Sequence, residues 1–169
     1  ERMHSGIKKT GYLSAEEINS GPGIPSAERR KKGPVAVIEC IQPIPCNPCE
    51  TSCKVNAIAV GDDITNLPHL DQDKCIGCAS CIAICPGQAI FVVDDGFEEE
   101  RSRVMIPYEF LPLPQTGDVV TALDRSGKAV GEAEVLNVRK KENMDKTAVV
   151  TLAVPKALSM NVRFFKSRK

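Results

Sequence analysis

The spacing of the cysteines constrains the fold of this chain more than any other feature of its sequence. Eight cysteines occur in 169 residues, and seven of them lie between Cys46 and Cys85. The last four have the spacing C-x2-C-x2-C-x3-C-P and are Cys75, Cys78, Cys81 and Cys85. Three thiolates on such a tight loop reach three iron corners of one cubane, whereas the fourth, one turn further on, points to the opposite side. The spacing therefore predicts an iron–sulfur protein.

A related cysteine run lies upstream and consists of Cys46, Cys49 and Cys53. When the chain is aligned with itself so that Cys46 falls on Cys78, the whole upstream run superposes on the last three cysteines of the downstream run. The pair Ala57-Ile58 then falls on Ala89-Ile90. Because a single run leaves its cluster one ligand short, this repeat predicts two clusters. It also predicts pseudo-twofold symmetry, in which each half is a loop and a short helix bracketed by strands.

Disulfide bonds, a zinc site or a redox dithiol would explain the cysteine pattern less completely than two iron–sulfur clusters. Disulfide scaffolds usually spread their cysteines along the chain, whereas these recur in tight groups. A zinc site could use the pairs Cys46/Cys49 and Cys75/Cys78. That site, like a single redox dithiol, would leave out Cys40, Cys53, Cys81 and Cys85. His4 and His69 have no ligand spacing to each other, and we expect both to be ordinary surface residues.

On these motifs, residues 34–97 resemble the two-cluster bacterial ferredoxins. The resemblance implies an α+β, ferredoxin-like domain that transfers electrons and holds two 4Fe-4S clusters. One of them, here called cluster one, is then bound by Cys53, Cys75, Cys78 and Cys81. The other, cluster two, is bound by Cys46, Cys49 and Cys85.

The sequence departs from this family at the fourth ligand of cluster two. The repeat predicts that ligand at position 43, which is Pro43, and the nearest cysteine is Cys40. We favour Cys40 as the ligand because it completes two sets of four and leaves no spare thiol. In the alternative, Cys40 is a buried strand cysteine and cluster two is a 3Fe-4S cluster.

The regions flanking the cysteines contain no further cysteine motif. Residues 1–33 are predicted to be an extended arm, disordered or ordered by a partner, with a solvated basic run at 29–32. Ser14 and Glu17 have the spacing of a capping box and predict one short helix in this arm. Residues 98–169 are predicted to be a small all-β docking module, a barrel or sandwich, which begins after the acidic run at 98–100. Its predicted strands are Val119–Leu123, Ala129–Arg139, Thr147–Val154 and Asn161–Phe165.

Charge and composition argue against several classes of function. The chain has 22 basic and 22 acidic residues, so its net charge gives no reason to expect binding to nucleic acid or to an anionic membrane. No apolar run approaches the length of a transmembrane segment, and the N-terminus lacks the apolar core of a signal peptide. We therefore expect the protein to be located in a reducing cytoplasm. We find no nucleotide-binding glycine loop, no paired catalytic carboxylates and no nucleophile–base pair, so we predict no catalytic residues.

A narrower resemblance concerns the class of partner. The stretches 33–40, 46–50 and 117–124 are similar to the small iron–sulfur subunits of flavin-dependent proline, hydroxyproline and related amino-acid dehydrogenases. The resemblance implies an electron-transfer subunit in a hetero-oligomer with flavin-containing dehydrogenase subunits. The alternative is a stand-alone two-cluster ferredoxin that serves several soluble partners.

Overall fold

The computed structural model describes residues 5–144 and 146–167. Five short helices are present: α1 (Ser5–Thr10), α2 (Ala15–Asn19), α3 (Ala27–Lys31), α4 (Pro48–Thr51) and α5 (Ser80–Ile84). The strands are β1 (Val35–Ile38), β2 (Ile58–Ala59), β3 (His69–Leu70), β4 (Ile90–Asp94), β5 (Arg101–Tyr108), β6 (Val119–Leu123), β7 (Ala129–Arg139), β8 (Ala148–Pro155) and β9 (Phe164–Lys166). Two 3-10 helices occupy Glu142–Met144 and Lys156–Leu158.

Seven strands form one open antiparallel sheet in the order β1-β4-β5-β8-β7-β6-β9, and β2 pairs separately with β3. In this sheet β4, from the cysteine-rich region, pairs with β5, from the predicted β-module, in the register Val93↔Val104. The prediction of a separate barrel or sandwich is therefore wrong, because these strands extend a sheet that begins in the cysteine-rich region. The domain boundary between residues 97 and 98 falls in the β4–β5 turn and stays a prediction.

The strand β5 had no counterpart among the predicted strands. Ser102, Val104 and Ile106 alternate with more exposed neighbours and are fully buried. The acidic run at 98–100 lies in the connection between β4 and β5. Three strands separate β5 from β9 in this sheet, yet Tyr108 of β5 stacks on Phe165 of β9 with 4.8 Å between ring centroids. This contact shows that the sheet is curled.

Successive residues of β4 pack on the two faces of the sheet. Phe91 and Val93 belong to the hydrophobic core that the later strands enclose. Ile90 and Val92 belong to a second core, which includes Ile82 of α5 and the buried cysteines. The sheet therefore presents one apolar face directly to the cysteine loops.

Residues 5–33, in the predicted arm, contain three short helices, of which α3 contacts β4. The Ser14–Glu17 capping box is confirmed: the Ser14 hydroxyl accepts from the Glu17 amide, and the Glu17 carboxylate accepts from the Ser14 amide. The basic run at 29–32 is not wholly solvated as predicted. Arg30 pairs with Asp95 at 2.9 Å, and Arg29 bonds to four backbone carbonyls, while Lys31 and Lys32 are exposed.

The internal repeat reappears as matched backbone geometry. Asn56 and Gln88, which are equivalent in the repeat, both have φ of 50°. The strand pairs are equivalent too: the repeat places residue 38 on 70 and residue 58 on 90, so the pair Ile38↔Ile90 corresponds to the pair Ile58↔Leu70. The turn at residues 22–23 bonds to both halves: the Gly23 carbonyl accepts from Ile38 at 2.9 Å, and the Pro22 carbonyl accepts from Leu70 at 3.2 Å.

A buried ionic network ties the end of the chain to the strand before Cys40. The Glu39 carboxylate accepts from Arg163 Nε at 2.7 Å and from Arg125 Nε at 2.9 Å. The side chains of Glu39 and Arg163 are only 6% and 4% exposed. The Arg163 guanidinium also lies over the Phe91 ring, 4.9 Å from its centroid. This network fixes the residue next to Cys40 from two later parts of the chain.

Candidate iron–sulfur centres

The eight cysteines line two separate small cavities. One cavity is lined by Cys53, Cys75, Cys78 and Cys81. The other is lined by Cys40, Cys46, Cys49 and Cys85. These are the same two sets of four that the resemblance and the choice of Cys40 predict, although their role as ligands stays a prediction. All eight are free thiols, and the four sulfurs in each set match the donor set of one 4Fe-4S cluster.

The grouping of the cysteines around the two cavities crosses between the two runs. Cys49 lies in α4 and Cys81 in α5, and each of these helices belongs to its own loop. A turn at Asn56 or Gln88 then reverses the chain after Cys53 or Cys85. Cys53 and Cys85 each line the cavity of the opposite loop.

Backbone amides point at three of the cysteine sulfurs. The Ala57 amide donates to Cys53 Sγ at 3.2 Å, and the Ala89 amide donates to Cys85 Sγ at 3.5 Å, at the equivalent position of the repeat. The Ala36 amide of β1 donates to Cys75 Sγ at 3.4 Å. Such N–H···S bonds stabilise thiolates and tune the potential of a cluster.

Burial controls the ionisation of the thiols. Desolvation, followed by the charges of neighbouring cysteines, raises the pKa of Cys81 to about 12 and that of Cys49 to about 11. The same effects raise the pKa of Cys40. These thiols are protonated at neutral pH unless a cation binds them, so binding of iron must release their protons.

Cys78 differs from the other cysteines because it is exposed. Partial burial acts to raise its pKa, but hydrogen bonds from Ser80 and the charge of Arg139 together lower it. The edge of the first cavity at Cys78 is thus both accessible and favourable to a thiolate.

Two arginines from outside the cysteine motifs hold the loop of the first cavity. Arg29 Nη2 of α3 donates to the Cys75 carbonyl at 2.6 Å, and Arg139 Nη2 at the end of β7 donates to the Cys78 carbonyl at 3.0 Å. Neither role could be predicted from the sequence, because Arg29 lies in a basic run and Arg139 ends a strand. Their positions in the chain carry no signal of these contacts.

Gly77, between Cys75 and Cys78, lies against the backbone that precedes β1. Its φ is +64°, and a Cβ added there would lie 2.5 Å from Pro34 Cβ and 2.7 Å from the Pro34 carbonyl oxygen. A side chain would therefore be strained twice, by the left-handed backbone conformation and by the close approach.

Replacing Gly77 by alanine should destabilise the chain by about 3 kcal/mol, the sum of the left-handed penalty and overpacking. It should also lower the iron content, because it displaces the loop that carries Cys75 and Cys78. Gly87→Ala is the matched control, since nothing lies within 4 Å of a Cβ at that position and its φ is not positive. Anaerobic thermal unfolding and iron analysis measure both effects, and equal behaviour of the two variants would contradict the prediction.

The histidines and other possible metal ligands add no further centre. His69 is exposed, as expected, and His4 lies outside the described residues. Within residues 5–144 and 146–167, no group of three or more His, Cys, Asp or Glu side chains is arranged to hold a single metal ion.

Comparison with known proteins supports the iron–sulfur assignment. Residues 68–91, which contain the downstream cysteine run, match the family model of the 4Fe-4S binding domain. The chain therefore binds 4Fe-4S, and its eight cysteines in two groups are consistent with two clusters. No solved structure gives a significant match.

Several curated proteins match parts of the chain. It is 28% identical over 118 residues to a selenate reductase subunit of Mesobacillus selenatarsenatis, covering 70% of this chain and 37% of that protein. It is 45% identical over 47 residues to a subunit of an ion-translocating oxidoreductase complex of Methanosarcina acetivorans, covering 28% and 17%. It is 34% identical over 79 residues to an uncharacterized ferredoxin of Methanocaldococcus jannaschii, covering 42% and 46%. The matches thus span less than half the length of each of these relatives.

Proposed function

We propose that this chain is the electron-transfer subunit of an oxidoreductase complex and relays electrons through two 4Fe-4S clusters. The observation that carries the proposal is the sorting of eight cysteines into two four-sulfur cavities. A 4Fe-4S cluster accepts and donates single electrons, whereas substrate chemistry needs additional groups. The names of two relatives, a subunit of selenate reductase and a subunit of an oxidoreductase complex, support the assignment to a complex.

The linings of the two cavities favour a relay over a catalytic site. Apart from cysteines, the described residues around them are apolar, amide or hydroxyl side chains, or glycine. None of these is a carboxylate, histidine or lysine that could act as general acid or base. The surroundings therefore hold the sulfurs in an apolar setting without offering proton transfer to a substrate.

Each cavity is also close to the surface of the chain. Cys78 is exposed, and its neighbour Ile76 is 60% exposed. On the second cavity, Ile44 is 50% exposed, and Ile64, whose carbonyl accepts from the Cys46 amide, is 48% exposed. Two surface-accessible centres give one point of entry and one of exit for electrons.

The partner we propose is a flavin-containing dehydrogenase that oxidises an amino acid or a secondary amine of the proline or hydroxyproline type. This part rests on the resemblance of residues 33–40, 46–50 and 117–124, since the named relatives are other oxidoreductases. We also propose a cytoplasmic location, because a reducing compartment keeps the thiols available for iron. Within the described residues no helix has the length and apolar character that crossing a membrane requires.

Purification of the native, tagged chain under anaerobic conditions tests this proposal. We expect a larger hetero-oligomer that contains flavin as well as iron. Adding proline or hydroxyproline should bleach the flavin and then the iron–sulfur absorbance.

A matched sample treated with an inert amino acid such as glycine is the control for that bleaching. A monomer without flavin that exchanges electrons with several unrelated flavoproteins would overturn the complex and favour the stand-alone ferredoxin. The match to an uncharacterized ferredoxin is the observation that supports the stand-alone ferredoxin as a second candidate function.

A further inference from the structure

We propose that Arg139 and Arg29 set the reduction potential of cluster one by placing positive charge on the loop that binds it. This inference rests on the proposed function, because it takes Cys53, Cys75, Cys78 and Cys81 as the ligands of cluster one. It assigns a role to two segments outside the ferredoxin-like region, namely the N-terminal helices and the later strands.

Arg139 reaches the loop from the far end of β7. Its backbone is fixed by pairing with Val149 of β8, and its side chain is half-buried. Nη2 donates to the carbonyl of Cys78, the exposed ligand, at 3.0 Å.

Arg29 approaches the same loop from α3. Nη2 donates to the carbonyl of Cys75 at 2.6 Å, Nη1 to that of Gly33 at 3.1 Å, and Nε to that of Gln72 at 2.8 Å. These bonds all go to neutral carbonyls. The guanidinium is therefore held rigidly beside Cys75 by groups that do not cancel its charge.

Within the part of the chain that the structure describes, these two arginines differ from the others near the clusters in having no carboxylate partner. In residues 5–144 and 146–167, neither Arg29 nor Arg139 forms an ion pair with a carboxylate. Arg30, by contrast, pairs with Asp95. The arginines next to Cys40 share the Glu39 carboxylate, so part of their charge is cancelled.

The direction of the effect follows from the charge that reduction adds. Reduction of a cluster adds one negative charge, which a nearby uncompensated cation stabilises. For charges about 10 Å apart at an effective dielectric constant of about 20, Coulomb's law gives about a tenfold change in the reduction equilibrium. A tenfold change corresponds to about 59 mV for a one-electron couple. Cluster one should then hold the electron at the exposed edge near Cys78, where a partner can remove it.

An EPR-monitored redox titration of the full chain with both clusters tests the inference without a partner or substrate. Cys78→Ser identifies the signal of cluster one. Arg139→Gln should lower the potential of cluster one by about 59 mV, a tenfold change, and leave cluster two unchanged. Arg139→Lys should stay near the wild-type value, because it keeps the charge.

Lys140→Gln is the matched control, since Lys140 is exposed and donates to the Lys146 carbonyl, away from the cysteines. If Arg139→Gln fails to assemble cluster one, Arg29→Gln is the second test: it also removes a charge beside the loop and should lower the potential of cluster one, whereas Arg29→Lys should not. Wild-type potentials in Arg139→Gln, or equal shifts of both clusters, would overturn the inference. Failure of the chain to bind a flavoprotein would overturn only the proposed function, because these potentials are measured on the chain alone.

Discussion

Cys53→Ala should remove the same cluster as Cys78→Ala, although the two cysteines belong to different runs. The reason is that Cys53 lines the cavity of the downstream loop. Cys49→Ala and Cys85→Ala should together define the other cluster. In each variant, iron should fall from about eight to about four atoms per chain, or to about seven where a three-iron cluster survives. Iron and sulfide analysis gives the content, and EPR shows which of the two signals is lost.

The crossed pattern is what distinguishes this prediction from a simple two-site arrangement. If Cys53→Ala and Cys49→Ala eliminated the same EPR signal, the ligands would not cross between runs. Cys40→Ala should affect the signal lost in Cys49→Ala, and an unaltered spectrum would show that another ligand completes cluster two. About one zinc per chain with negligible sulfide would contradict the presence of clusters altogether.

Glu39→Gln should destabilise the chain by about 3 kcal/mol, the lower end of the cost of leaving a buried charge without its partner. Arg163 and Arg125 are the charges left behind, and Arg163 is buried against the Phe91 ring. Burial lowers the Arg163 pKa, but an arginine guanidinium stays protonated at neutral pH in proteins. Because Glu39 precedes Cys40, the variant should also lose part of cluster two. Anaerobic thermal unfolding and iron analysis measure the two effects.

The matched control is Glu98→Gln, which removes the carboxylate of an exposed pair with Arg101. Both side chains of that pair are 40% exposed, so its loss should leave the free energy of unfolding close to the wild-type value. Equal stability of Glu39→Gln and wild type would show that the buried network does not hold the strand that leads to Cys40.

The features that could be predicted from the sequence depend on local spacing. The repeat that places Cys46 on Cys78 predicts matched loops, and the structure has the turns at Asn56 and Gln88 and the helices α4 and α5 at equivalent positions. The Ser14–Glu17 capping box is equally local. The strands β6 and β7 also have the predicted bounds, because alternating apolar residues and a turn at 124–127 delimit them.

The features that could not be predicted depend on contacts between distant parts of the chain. The strand β5 contains Arg101, Arg103 and Pro107, which obscure its alternation, and its pairing with β4 and β8 decides that there is one sheet. Arg103 is accommodated in this strand because it pairs with Asp94 of β4. Likewise, nothing in the basic run distinguishes Arg29, which bonds to the Cys75 loop, from exposed Lys31.

The turn at residues 22–23 connects the N-terminal segment to both halves of the repeat. Local unfolding of this turn therefore affects both halves. Its two carbonyls accept from the amides of Ile38 and Leu70, which are equivalent by the repeat. Detachment of this turn would expose both amides to solvent in one event. Native-state hydrogen exchange should therefore give these two amides, although they are far apart in the chain, the same free energy of opening.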